Sequence, residues 1–176
     1  MTTLIHGAAV DLRPVVEADV TDEYVAWLND SYVNQYLETR FVTHTPEDVR
    51  RYVREQTAAA DAVFLAIIRR ADGRHVGNLR IGAIDRHHRS AAIALVIGER
   101  SAWGQGLGSD AIAAATRHAF TALELDKLTA RIYATNLGSI RAFEKAGWYR
   151  EGLQRGQFLT DAGRVDGVWF GIERAR

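Results

Sequence analysis

Between an apolar run, AAIALVIG (91–98), and an alanine-rich segment, SDAIAAATRHAF (109–120), the chain places Gly104, Gly106 and Gly108 at alternate positions. A glycine weakens a helix by roughly 1 kcal/mol relative to alanine. Spending one at every second position points to a demand on the backbone, such as close approach of a ligand. A strand, a glycine turn and a helix start, in that order, aim free N–H groups and the positive end of the helix dipole at one place, where an anion can sit. Two phosphate-binding patterns fit poorly. A nucleoside-triphosphate loop needs Gly-Lys-Ser/Thr, whereas Gly108 is followed by Ser109. A dinucleotide fingerprint needs G-x-G-x-x-G and an acid ending the next strand; here the spacing is G-x-G-x-G, and Glu124, at the right count, ends the helix. The pyrophosphate of coenzyme A remains compatible, and so does a turn whose glycines serve the fold alone.

Residues 1–176 read as one continuous domain, with no repeats, low-complexity tracts or Pro/Gly/Ser linker. AAVDLRPV (8–15) predicts a first strand. VEADVTDEYVAWLND (16–30) carries Val20, Tyr24, Trp27 and Leu28 at helical spacing. Residues 31–44 predict a short helix and an irregular loop. Thr45-Pro46-Glu47-Asp48 is a helix start, with a capping Thr, Pro at the first helical position and acids in the first turn; the helix should reach about Ala59. The two prolines, Pro14 and Pro46, both sit where a helix could begin. AVFLAIIRR (62–70) and HVGNLRIGAID (75–85) form a hairpin through Asp72-Gly73. Arg86 to Arg89 turn the chain into 91–98, whose apolar residues on both faces predict a central strand. After the glycine loop come a helix to about Leu123, a strand at 127–134, a helix over 138–147 stopped by Gly147, and a hairpin of 148–160 with 164–174. Three antiparallel strands thus precede a strand–helix–strand crossover. The expected class is α/β (α+β, mixed sheet), mostly antiparallel, with helices on both faces.

Basic and acidic residues balance at 22 each, so bulk charge gives no pull toward nucleic acid or a membrane surface, and neither is an expected partner. The absence of cysteine excludes disulfides, thiolate–zinc sites and a cysteine nucleophile, and fits a reducing cytoplasm. No apolar run approaches the ~18–20 residues that span a bilayer, and MTTLIHGAAVDLR lacks the basic start and apolar core of a signal peptide. A soluble, cytoplasmic protein is expected. Its histidines show no paired ligand spacing, so no metal is expected.

Trp103-Gly104-Gln105-Gly106-Leu107-Gly108 resembles the Gln/Arg-x-x-Gly-x-Gly/Ala motif that opens the main helix of the GNAT superfamily of acetyl-CoA-dependent N-acetyltransferases, with Trp103 replacing the leading Gln/Arg. A Trp-Gly pair there is frequent in the RimJ/RimL-type branch. Asn136-Leu137-Gly138-Ser139, followed by Ala142-Phe143-Glu144-Lys145-Ala146-Gly147-Trp148, is similar to the family's N-x-x-S…EK-x-G-F segment. The motifs lie the expected distance apart, and the element order agrees along nearly the whole chain. The resemblance implies a GNAT-like fold whose sheet splays between its fourth and fifth strands, 91–98 and 127–134. It implies that acetyl-CoA is the co-substrate, with pantetheine in that gap paired to backbone groups near Val96, Ile97 and Gly98, as an added strand would pair. The N–H groups of Gln105, Gly106, Leu107, Gly108 and Ser109 would hold the pyrophosphate, and Asn136 would bond the pantetheine arm. Trp103, Gly104, Ser139, Phe143 and Lys145 complete the implied cofactor-binding set.

Acetyl transfer needs a neutral amine, a polarised thioester carbonyl and a proton for the leaving thiolate. The Ile97 amide is a candidate for the oxyanion. Many family members carry a proton-giving tyrosine four residues before the helix-ending glycine; Phe143 stands there and has no proton to give. Ser139 is then the candidate acid, with capping or lining the helix start as its alternative role. The carboxylate many relatives hold in the central strand corresponds to Ile93. His88, in the turn entering that strand, and Glu38, in the early loop, are the other catalytic candidates; equally, each is readable as a surface charge. The same holds for Arg40, His44 and Tyr36, in the loop that shapes the acceptor site in this family. Trp169 and Phe170 alternate on the last strand, as core or pocket lining. The implied reaction transfers acetyl directly, in a ternary complex, to a primary amine of a protein N-terminus or of a small molecule such as an amino sugar. Few acids cluster in the early loop, which argues against polyamines. A non-catalytic acyl-CoA-binding regulatory module is the alternative, and a homodimer is left open.

Overall fold

The computed structural model describes residues 4–175. Its sheet consists of β1 (Ile5–His6), β2 (Val10–Pro14), β3 (Val63–Arg69), β4 (His75–Asp85), β5 (Ser90–Ile97), β6 (Lys127–Tyr133), β7 (Tyr149–Thr160) and β8 (Gly163–Glu173). They lie in the order β1-β2-β3-β4-β5-β6-β8-β7. The pairing of β5 with β6 is parallel and every other pairing is antiparallel. Helices α1 (Asp22–Asn29), α2 (Ser31–Asn34) and α3 (Pro46–Ala58) precede β3, while α4 (Leu107–Thr121) and α5 (Leu137–Lys145) flank β6 in the chain. Among the described residues no helix is long and apolar enough to cross a membrane.

Strand alternation divides the apolar residues into two cores. Leu65 and Ile67 of β3 pack with Ile112 and Ala115 of α4 and with Ile140 and Phe143 of α5. Phe64 and Ala66 of the same strand pack with Tyr24 and Trp27 of α1 and with Val49 and Val53 of α3. Helices therefore cover both faces, as expected. The start of α3 follows from its sequence: Thr45 Oγ1 accepts from the Asp48 amide at 3.2 Å, and the Asp48 carboxylate accepts from the Thr45 amide at 3.0 Å.

The gap in the sheet is visible in the register. β5 pairs with β6 only through Ser90–Lys127, Ala91–Leu128 and Ala92–Thr129. Beyond these positions β5 stays on β4 as far as Ile97, and β6 stays on β8 as far as Tyr133. The two strands part while each keeps its other neighbour, so the opening is built in and is not fraying.

Three local expectations are corrected. The 16–30 segment is a 3-10 turn at Glu17–Asp19 followed by α1, because Thr21 caps the helix by accepting from the Tyr24 amide. Pro14 ends β2 and starts no helix. Val15 N–H donates to the Phe64 carbonyl, so the Pro14 nitrogen faces the other edge, where β1 covers only Asp11 and Leu12. Finally, β5 is central in order, but at Ala92 and Ala94 it is covered on one face alone, and the α1–α3 layer reaches it only at Val96. Ala91 and Ile93 are buried, whereas Ala92 and Ala94 are exposed, because the α1–α3 layer does not extend over them.

Candidate active site

The edges of the gap are set by alternation. The Gly98 amide donates to the Val76 carbonyl at 2.9 Å, toward β4. In an antiparallel ladder the backbone groups of every second residue face the same neighbour, so those of Val96 also face β4, and those of Leu95 and Ile97 face the gap. This shifts the expected pairing edge from Val96, Ile97 and Gly98 to Leu95 and Ile97. The Ile97 carbonyl is already engaged, accepting from the indole Nε1 of Trp103 at 2.8 Å. Its amide remains directed into the opening.

The glycine loop lies just past that edge. Gly104 and Gly106 have φ of +75° and +79°, in the left-handed region that side chains resist. Gly106 is the N-cap of α4. A Cβ on Gly104 would meet nothing within 4 Å, so crowding inside the protein does not explain the glycine there. A Cβ on Gly106 would come 3.7 Å from Nζ of Lys145, which sets a cation from α5 over the loop. Ser109 turns its Oγ back to the Gly106 carbonyl at 2.8 Å, and Gln105 bonds the Ser101 carbonyl at 2.7 Å. Leu107 is buried in the core, leaving its backbone alone for a ligand. A helix N-terminus with bare amides, an adjacent lysine and no carboxylate turned into it can take an anion such as a phosphate. Asp110, in the first turn of α4, points its carboxylate to the amides of Ala8, Ala9 and Val10 at 2.8–3.0 Å.

The opposite mouth of the gap carries a hydrogen-bonded trio. Tyr133, at the end of β6, donates its hydroxyl to Glu38 at 2.8 Å and accepts from Arg40 Nη1 at 2.8 Å. Burial, and then the bond to Glu38, push the Tyr133 hydroxyl above the ordinary tyrosine range, outweighing Arg40, so it stays protonated at neutral pH. Arg40 also reaches the Leu159 carbonyl at 2.7 Å, and the Tyr36 hydroxyl donates to the Thr135 carbonyl at 3.1 Å. The 36–40 segment thus crosses from the α1–α3 side to β6 and the β7–β8 hairpin. His44 stays at the base of that segment, bonded to the Thr39 carbonyl. Trp169 lies on the open face with Arg131 over its ring, and Phe170 is fully buried.

The remaining candidates separate. Asn136 caps α5, its Oδ1 accepting from the Ser139 amide at 3.1 Å, and Ser139 is half-buried beside it. Phe143 is 1% exposed, packed edge-on against Trp148 at 4.9 Å. It is core, and no part of its side chain is offered to a ligand; helical spacing from Ile140 carried that signal. Ile93 likewise points into the core. His88 lies in the turn before Ser90, beyond the paired end of β5 and β6, with its ring against His87 and its amide on Asp85. The fold leaves it away from the mouth of the gap. Sequence reasoning missed Tyr133, whose one signal was a phenol at the end of a gap strand, three residues before Asn136. Among the described residues no three His, Cys, Asp or Glu side chains gather as a metal would require.

A sheet opened beside a glycine-started helix is the arrangement of an N-acetyltransferase. Residues 10–148 match the acetyltransferase (GNAT) domain family, and the chain belongs to it. Over 171 residues, 96% of this chain and 92% of the relative, it is 27% identical to the SPbeta prophage-derived uncharacterized N-acetyltransferase YokL of Bacillus subtilis. Among solved structures it is similar to RimL, the ribosomal L7/L12 alpha-N-protein acetyltransferase in complex with coenzyme A. There the TM-score is 0.86 at 18% identity, covering 97% of this chain and 98% of that one. It is also similar to the spermidine N-acetyltransferase of Vibrio cholerae in complex with CoA and spermine, with a TM-score of 0.84 at 18% identity, covering 94% and 96%.

Proposed function

We propose that residues 1–176 act as one domain that transfers acetyl from acetyl-CoA directly to a primary amine, both bound at once. The reading is carried by the left-handed, uncrowded Gly104–Gly106 turn set beside the unpaired edge of β5. Amides from Gln105 to Ser109 and the Lys145 ammonium hold the pyrophosphate. Pantetheine runs along Leu95 and Ile97 as an added strand, with Asn136 on its other side. The Ile97 amide steadies the oxyanion as the amine attacks the thioester carbonyl. When the tetrahedral adduct collapses, the C–S bond breaks and Ser139 relays a proton to the thiolate, taking one from water as it gives its own. Glu38, fixed by Tyr133, takes the proton from the amine. His88 has no part in this scheme.

The acceptor is a protein N-terminus or a small amine. The two neighbouring structures, one named a ribosomal L7/L12 alpha-N-protein acetyltransferase and one in complex with CoA and spermine, share the fold at 18% identity and do not choose between them. Release of free thiol from acetyl-CoA across a panel of peptides, amino sugars and amines tests the reaction. Rapid release with at least one amine is expected. Tight acetyl-CoA binding without release across the panel would replace the reading with that of a regulatory acyl-CoA-binding module.

A further inference from the structure

We propose that the acceptor is a small amine carrying an anionic group, a carboxylate or a phosphate, held between Arg80 and Arg131. The inference rests on the acetyl-transfer reading and narrows its substrate. Arg80 pairs with Ala94 across β4 and β5, and Ala92 pairs with Thr129 across β5 and β6. Two residues further on, Arg131 comes level with Ala94 on the far side of the gap. Alternation puts Arg80, Ala92, Ala94, Thr129 and Arg131 on one face. It is the face that the α1–α3 layer leaves open, since Ala92 and Ala94 are exposed in the interior of an eight-stranded sheet.

Both arginines are positioned and neither is neutralised. Arg80 Nε donates to Gln56 at 2.5 Å, and its guanidinium lies over Gly82, where a Cβ would collide with it. Gly82 is the partner of Ala92, so this charge stands beside the bare floor. Arg131 is exposed over the rings of Phe158 and Trp169, 5.4 and 5.8 Å from their centres. Among the described residues neither has an ion-pair partner, and the acids nearby are engaged elsewhere: Glu38 accepts from Tyr133, and Glu151 and Glu173 pair with Lys127. Two uncompensated guanidinium groups repel a polyamine and present forked donors that match a carboxylate or phosphate. β4 and β6 lie two strand spacings apart, roughly 10 Å, where β5 pairs with both, and farther apart beyond Ala92–Thr129 where the gap opens, which is room for a small molecule beside the gap. The 36–40 segment crosses one end of this face and closes it there.

The test is calorimetric binding to the CoA-saturated protein of two matched pairs. Glucosamine against its 6-phosphate isolates phosphate, and glycinamide against glycine isolates carboxylate. In at least one pair the anionic member should bind about tenfold more tightly, consistent with charge-assisted recognition. The advantage should shrink in Arg80→Gln and in Arg131→Gln and vanish in the double variant, with thermal midpoint and CoA affinity as controls on the fold. No difference within either pair, or an advantage untouched in the double variant, overturns the proposal. So does tighter binding of spermidine, or of a peptide with an acidic N-terminus. The underlying reading fails differently: an arginine-dependent anion preference without thiol release from any amine would remove the reaction and leave the site.

Discussion

At the scale of single residues, Gly106 carries the most weight. Its φ of +79° is one that a β-branched residue resists strongly, and a Cβ there would meet only Lys145 Nζ at 3.7 Å and Ser109 Oγ at 3.8 Å. Gly106→Val should therefore strain the N-cap of α4 and fill the approach to its amides. Titration should show the acetyl-CoA dissociation constant raised tenfold or more, on the order of 1.4 kcal/mol; unchanged affinity would remove the loop from cofactor binding. Gly108 differs. A Cβ there would meet Ile97 at 3.7 Å and Leu95 at 3.8 Å, ordinary contacts, so the fold itself does not demand glycine at that position. Ser139 tests the chemistry. Its amide, and not its hydroxyl, makes the capping bond to Asn136, so Ser139→Ala should leave α5 intact. Steady-state kinetics should then show turnover falling more than acetyl-CoA affinity. Equal turnover would take Ser139 out of the proton path.

At the scale of elements, α4 is tied at its first turn to the chain's opening hairpin. The Asp110 carboxylate receives the amides of Ala8, Ala9 and Val10, from more than a hundred residues earlier for two of them. Asp110→Ala would leave those donors without this acceptor, and urea unfolding should report a loss of about 2–3 kcal/mol. A loss below about 0.5 kcal/mol would mean that water replaces the carboxylate fully. The sequence had no means of showing this contact, because an acid in a helix's first turn already has a local explanation in the dipole. That contrast runs through the molecule. The Thr45-Pro46 start of α3, the Asp72-Gly73 hairpin and the glycine turn were legible because each is decided within a few residues. The gap was legible only through the family resemblance. Which backbone groups face it depends on the register of β5 against β4, and that moved the free edge to Leu95 and Ile97. The Tyr133–Glu38–Arg40 trio joins positions more than ninety residues apart, and no periodicity encodes such a pairing. Phe143 was misassigned for the opposite reason: motif position was followed where the helical stripe with Ile140 already marked it as core.

At the scale of the whole molecule, the ionisable groups make the fold sensitive to acid in two separate windows. His75 is held between the rings of Tyr24 and Trp27, and its Nε2 faces two acceptors, the Gly77 carbonyl at 2.9 Å and Asn78 Oδ1 at 3.0 Å. Nε2 therefore carries the hydrogen of a neutral ring. Burial pushes the His75 pKa below its ordinary 6.5, against the weaker pull of Asn78 and Asp19, and burial lowers His118 as well. The unfolded chain then binds protons that the native state refuses, so stability declines as pH falls from about 6.5 toward the lowered native values. Asp19 acts lower. Burial alone would raise it, but the Arg13 guanidinium and the Val16 amide outweigh that and hold it below 3.8, so its contribution is lost only as pH falls beneath that value. The first window reaches the free edge of β5, because Trp27, which packs on His75, also lies against Gly98 at the end of β5, where a Cβ would fall inside its ring. Urea midpoints should drop between pH 7 and pH 5 in the native protein, and His75→Gln, which cannot take up the proton, should flatten that decline. Acetyl-CoA affinity should weaken over the same interval in the native protein and less in the variant. A midpoint that stays level from pH 7 to pH 5 would mean that His75 accepts its proton without disturbing the Tyr24–Trp27 cage, and the coupling of that cage to the gap would fall with it.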